Sequence, residues 1–224
     1  MLKLLPAHHP YSGTWQQSAA GAGRLTVQAD GLGVTLNQED TSQVTVVMNG
    51  TYTDHVPQVS VTRSGQDVAV TAGCSGDCSE QLHITVPAGL AAQVSTGDAG
   101  IVAKGLTGRL ELTTGQAGID VSQSSGPLTL RSTTGGVTVT DSSSPNVDVT
   151  TTDGGVTASF TAAPASVKVA TGEGGVDLRV PHEATYHVEA QSSESTPSVS
   201  LPNTAQNAPN NLVVTTKSGG ITVR

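Results

Sequence analysis

Leu128-Thr-Leu-Arg-Ser-Thr-Thr-Gly-Gly-Val-Thr-Val139 contains two short runs of alternating apolar and polar residues, parted by a Thr-rich step and a glycine pair. The same phrase precedes it as Leu110-Glu-Leu-Thr-Thr-Gly-Gln-Ala-Gly-Ile-Asp-Val121. It returns over residues 147–158, 167–178 and 212–223. The last glycine of each turn is Gly100, Gly118, Gly136, Gly155, Gly175 or Gly220, at successive spacings of 18, 18, 19, 20 and 45. The long gap hides a degenerate copy, Tyr186-His-Val188 with Val199-Ser-Leu201, whose turn has lost its glycines. That makes seven copies at a period near 19 residues.

A strand points alternate side chains to opposite faces, so each run has one apolar face that a lone copy cannot bury. Stacking the copies buries it. The sequence therefore predicts an all-β fold, a parallel β-solenoid of roughly 19-residue coils. The expected inward columns are Ile101, Ile119, Val137, Val156, Val176, Val199, Ile221 and, two residues on, Ala103, Val121, Val139, Ala158, Leu178, Leu201, Val223. The facing strand supplies Val94, Leu112, Leu130, Val149, Val169, Val188 and Val214. A two-sheet sandwich would explain the alternation but not the recurrence of residue identities. The paired glycines are expected to provide a positive-φ turn between the strands. Seven coils spaced by about 4.8 Å would stack to roughly 34 Å.

Outward from the repeats, residues 23–90 are strand-rich but lack the period. Candidate strands there are Arg24–Ala29, Gly33–Leu36, Val44–Met48, Val59–Thr62, Asp67–Thr71 and Leu82–Val86. Terminal repeats are atypical because they cap an open edge. Residues 23–224 thus read as one domain: irregular N-terminal coils and cap over 23–90, then regular repeats over 91–224. Residues 1–22 read as a poorly ordered leader, and the Ser-, Asn- and Pro-rich stretch 191–211 as an inserted loop.

Composition agrees. Thr, Val and Ser number 31, 28 and 23, while aromatics are 2 % and charged residues 12 %. Few charges and many β-branched residues exclude coiled coils, helical bundles and the usual disordered chain. With 10 Lys+Arg against 18 Asp+Glu the net charge is −8, which repels phosphate backbones and argues against a nucleic-acid partner. No apolar run is long enough to span a bilayer as a helix, and Met1–Leu5 is too short for a signal-peptide core.

Convergent chemistry is scarce. Cys74-Ser-Gly-Asp-Cys78 holds the two cysteines, best read as a disulfide clipping a loop tip, with reduced thiols and a metal as weaker readings. The six histidines are scattered; His83 and His187 alternate with apolar neighbours and should point outward. Calcium repeats need a nine-residue period with an acid in each turn, whereas turn acids occur only at Asp98, Asp153 and Glu173. A polysaccharide-active enzyme would need paired carboxylates. Glu111 and Asp148 share a column two coils apart, Asp120 and Asp177 share another three apart, and Asp148 sits one coil from Lys168. Neither catalytic residues nor a cofactor or metal site is expected.

Leu82-His-Ile-Thr-Val-Pro-Ala-Gly89, Val94-Ser-Thr-Gly-Asp-Ala-Gly100, Gly105-Leu-Thr-Gly108 and the Thr/Gly/Gly/Val copies resemble the bacterial putative-adhesin family of β-strand-repeat domains of unknown function. The resemblance spans about residues 23–224. It implies a β-solenoid in the cell envelope, often behind a membrane anchor, with no established catalytic residues. The expected function is a non-catalytic adhesion, scaffold or sensing module, extracytoplasmic, whose partner is an unknown envelope protein or glycan. The alternatives are the solenoid enzyme above and an intracellular regulatory interaction protein, the latter consistent with the lack of a visible signal peptide.

Overall fold

Alternating apolar and polar residues dictate strands, because one face of each must leave water. The computed structural model describes residues 8–53, 55–74 and 78–224. Its N-terminal third supplies β1 (His9–Ser18), β2 (Arg24–Asp30), β3 (Gly33–Glu39), β4 (Gln43–Tyr52), β5 (Gln58–Ser64), β6 (Asp67–Gly73) and β7 (Cys78–Pro87). The regular copies follow, one strand pair per coil: β8 (Ala91–Thr96) with β9 (Ile101–Lys104), β10 (Leu110–Thr114) with β11 (Ile119–Ser122), and β12 (Leu128–Ser132) with β13 (Val137–Ser142). Two further coils are β14 (Asn146–Thr151) with β15 (Val156–Phe160), and β16 (Ser166–Glu173) with β17 (Val176–Arg179). The chain closes with β18 (Tyr186–Ser192), β19 (Ser198–Val199), β20 (Asn210–Ser218) and β21 (Ile221–Val223).

The strands form two facing sheets of 11 and 10 strands around one apolar core. Successive regular coils pair in parallel and in the expected register. Val94, Leu112, Leu130, Val149 and Val169 sit side by side in one sheet, and Ala103, Val121, Val139 and Ala158 in the other. Each column residue of the regular copies is at most 3 % exposed. Parallel pairing stacks each regular coil between two neighbouring coils, which is why the same residue types recur.

The coil order differs from the sequence order at both ends of the stack. At the C-terminal end β20 and β21 pair directly with β16 and β17, and the degenerate copy β18–β19 lies outside them. The last two coils are interchanged. At the N-terminal end β2–β3 sits between β8–β9 and the returning β6–β7, with β4 and β1 continuing one sheet and β5 the other. The three column residues of the degenerate copy are correspondingly not core: Val199 is 43 % exposed, and Val188 and Leu201 are half-buried. Among the described residues, no strand stacks beyond them.

Three further expectations are corrected. Within the supposed leader, His9–Ser18 is a full strand, antiparallel to β4, with Tyr11 and Trp15 packed on the core; residues 1–7 lie outside the described set. The supposed loop 191–211 contains the end of β18, all of β19 and the start of β20, leaving 200–209 as the true connection. Within the glycine pairs only the first glycines of the last two, Gly174 (φ 136°) and Gly219 (φ 132°), have positive φ; the turn glycines Gly100, Gly118, Gly136, Gly155, Gly175 and Gly220 do not. Their carbonyls accept the first amide of the neighbouring coil's strand instead, as in Val137 N–H to Gly155 O at 3.0 Å. A Cβ on Gly118, Gly136, Gly155 or Gly175 would stand 3.2–3.3 Å from the next such carbonyl. Glycine is there because backbone stacks on backbone. The left-handed residues of the regular coils lie mainly in the opposite turn, at Gly105, Gln123 and Asp141.

Candidate functional site

One depression lies on the outer face of the 10-stranded sheet, near the C-terminal end. Register aligns Thr150, Ala170, Thr215 and Gln191 across β14, β16, β20 and β18. Ala170 and Gly172 form the floor, between Thr150 and Thr152 on one wall and Thr215 and Lys217 on the other, leaving a groove of about 550 Å³. Glycine is enforced at 172, since a Cβ there would stand 2.5 Å from the Thr152 carbonyl oxygen. Lys217 is the sole charged residue of the lining. The groove thus offers hydroxyls, an amide and one ammonium, a set that hydrogen-bonds a polar chain but holds no acid–base pair.

Beneath the groove runs a row of buried hydroxyls that hydropathy patterning overlooks. Thr96, Thr114, Ser132, Thr151, Thr171 and Thr216 point inward where an apolar residue would be expected. Each donates to a backbone carbonyl of the glycine turn: Thr151 Oγ1 to Gly135 O at 3.2 Å, Thr171 Oγ1 to Gly154 O at 3.0 Å, Thr216 Oγ1 to Gly174 O at 3.1 Å. The row is legible in retrospect as the Thr-rich step of every copy. It holds the turns, and hence the groove's rim, in place. The opposite turn is tied by a buried trio, Ser124, Ser142 and Ser144, with hydroxyls 2.9–3.2 Å apart.

A second groove, about 670 Å³, brings Asp30, His55, Val56 and Cys74 together at the N-terminal end. A third, about 410 Å³, borders Tyr186, Val188 and Val199 at the opposite end. Tyr186 is fully buried and its hydroxyl donates to the Pro181 carbonyl at 2.9 Å. Burial, and to a lesser degree the negative charge of Glu183, pushes its pKa above the ordinary 10.0.

The carboxylates stay apart. Thr129 stands between Glu111 and Asp148, Lys168 lies beside Asp148, and Thr138 and Thr157 separate Asp120 from Asp177. Asp177 pairs with Arg224, and Asp98 accepts from Gln116 of the next coil. Among the described residues, no three metal-ligating side chains converge. His83 is exposed; His187, half-buried, contacts Glu189 at 3.0 Å. The expected Cys74–Cys78 bond falls partly outside the described residues, since nothing of the Cys78 side chain is described.

A sequence profile for the Toastrack DUF4097 family matches residues 23–224. The chain belongs to that family. The Toastrack region begins one residue before β2, so β1 precedes it. Among solved structures, the chain is similar to a "putative cell adhesion protein" from Clostridium sporogenes ATCC 15579, at 13 % identity, 96 % coverage of this chain, 99 % of that one and a TM-score of 0.44. No curated protein matches. Among the described residues of this Toastrack chain, no helix is long and apolar enough to cross a membrane.

Proposed function

We propose that this Toastrack chain is a non-catalytic, extracytoplasmic binding module, an adhesion, scaffold or sensing element that engages an envelope protein or glycan through the groove floored by Ala170 and Gly172. The observation that carries the reading is that groove: hydroxyls, one amide and one ammonium on parallel ladders, with the carboxylates dispersed elsewhere. Rigid strands hold such a set in place better than loops would. A glycan or an extended polypeptide presents the matching acceptors and donors.

Affinity capture from envelope fractions, paired with a glycan array, tests it. Ala170→Trp fills the floor and Lys217→Ala removes the charge; both should abolish capture of a partner that the unaltered protein retains, with melting unchanged. Capture unaffected by both variants would overturn the groove assignment. Release of reducing sugar from envelope polysaccharides would instead favour the enzyme. The compartment is tested at Cys74 and Cys78 by mass spectrometry of native protein alkylated before reduction. A bonded pair is expected outside the cytoplasm, and two alkylated thiols would favour the intracellular alternative.

A further inference from the structure

We infer that Arg24 and Arg109 form a clamp for a sugar carboxylate, a binding site for an acidic glycan that is separate from the Ala170 groove. A shallow depression of about 320 Å³ on the outer face of the 10-stranded sheet has Arg24, Ala91, Gln93, Arg109 and Glu111 in its lining. Arg24 lies opposite Ala91 in the ladder between β2 and β8. On the other side of Ala91 the next strand begins, where Ala92 N–H donates to Arg109 O at 2.9 Å. Two exposed arginines thus flank a half-buried methyl group. They stand two strand spacings apart, about 9.6 Å, a gap that two extended arginine side chains close. The three grooves described above hold at most one permanent cation each.

Stacking does not require these arginines. At the same register position the following coils carry Pro127, Asn146, Ser166 and Asn211, all uncharged. Arginine occupies it only in the two coils that flank Ala91. Nor do the two guanidiniums hold the fold together. Among the described residues neither has a hydrogen bond or an ion pair, although Asp67 lies beside Arg24 in register and Glu111 two residues beyond Arg109. Arg63, by contrast, is bonded to the Ser18, Ala20 and Gly65 carbonyls, and Arg224 to Asp177.

Guanidinium presents paired N–H donors in one plane, the pattern that the two oxygens of a carboxylate match. Two of them over a methyl floor hold one carboxylate from both sides. The rest of the lining selects what carries that carboxylate. The Gln93 amide donates and accepts, and Glu111 accepts, which suits the hydroxyls of a sugar ring. Charge decides against richer anions. Glu111 lines the same depression and repels the second charge of a phosphate monoester, and the net charge of −8 repels a polyphosphate backbone or an anionic bilayer. At physiological ionic strength charges beyond about 8 Å are screened, so a single carboxylate in the clamp responds mainly to the two arginines. The depression centres on β8, four strands from β16 and thus about 19 Å from the Ala170 groove. Its occupancy does not depend on what, if anything, that groove binds.

Titration of the full chain with tetragalacturonate and with a hyaluronate tetrasaccharide, followed through the arginine Nε–H signals by NMR, tests the clamp. At least one of the two should shift the Arg24 and Arg109 signals together and saturably, while those of Arg131 and Arg179 stay fixed. Arg24→Gln and Arg109→Gln should each weaken binding about tenfold. Ala91→Glu, which places a carboxylate on the floor, should abolish it. All three side chains face solvent, so melting should be unchanged. Methyl esters of the same oligosaccharides should not bind, and Ala170→Trp should leave uronate binding intact, which separates this site from the groove. The inference is overturned if neither oligosaccharide shifts the two signals at millimolar concentration. It is overturned equally if the esters or inorganic phosphate bind as tightly as the uronates, or if affinity survives both glutamine variants.

Discussion

At Gly135 one methyl group would overlap the backbone carbonyl of Ala117, and at Gly154 that of Gly135. These first glycines of each pair press on the preceding coil, while the second ones face the following coil with slightly more room. Gly135→Ala is therefore expected to cost about 2 kcal/mol or more in denaturant unfolding, in the range of overpacked cores, and Gly155→Ala less than about 1 kcal/mol. Equal losses would mean that coil stacking is not what selects glycine. Left-handed strain sits elsewhere, at Gln123, whose φ is 54°. A β-branched residue fits that conformation poorly, so Gln123→Val should destabilise by about 1–2 kcal/mol, while Gln123→Gly should be neutral or gain up to about 1 kcal/mol. The glycine pairs are plain in the sequence, but their cause lies in a neighbouring coil about 19 residues away, which no local reading of turn types supplies.

Along a strand the alternation decides which changes matter. Val156 is 2 % exposed, and its neighbour Thr157 faces water beside Asp177 of the next coil. Val156→Asp should cost about 3 kcal/mol or more, because a buried unpaired carboxylate loses its hydration. Thr157→Lys should stay within about 0.5 kcal/mol of the parent, since it places opposite charges side by side. Similar melting temperatures for the two variants would put the register in error. The hydroxyl row makes a subtler case. Thr151→Val keeps the shape but leaves the Gly135 carbonyl without its side-chain donor. A loss of about 1 kcal/mol is expected; an unchanged unfolding midpoint would show that the row merely fills space. Hydropathy patterning files threonine as an outward residue. Only the packing of the glycine turn against it reveals an inward hydroxyl with a carbonyl to bond.

For the molecule as a whole, the weak point is the coil stacked last. Tyr186 anchors it, buried against the core and with its phenol pKa raised above the ordinary 10.0 by that burial. A raised pKa means the folded state holds the proton more tightly. The contribution is complete below about pH 10 and is lost as pH climbs through the raised value. Stability should therefore fall above pH 10 with opening of the outer coil first, as read by amide exchange over β18. Tyr186→Phe is expected to remove that part of the slope and, by losing the bond to Pro181, to cost about 1 kcal/mol at neutral pH. An identical alkaline slope in Tyr186→Phe would assign the loss to other groups.

The amino-acid sequence alone determined the local period, the strand faces and the register of the regular coils. Alternation and recurrence act between each coil and its immediate neighbours, so Ile119, Val137 and Val156 declare their column directly. Tertiary structure decided what depends on contacts between distant copies. The last two coils interchange because β20, carrying Leu212, Val214 and the Gly219–Gly220 turn, packs both its neighbours, whereas β18–β19, lacking the glycine turn and exposing Val199, can serve only as an outer layer. Sequence order does not record that preference, since an apolar face states what must be buried and not which coil will bury it. For the same reason the groove was not legible: Thr150, Ala170, Thr215 and Gln191 become neighbours only once β20 has entered between β16 and β18.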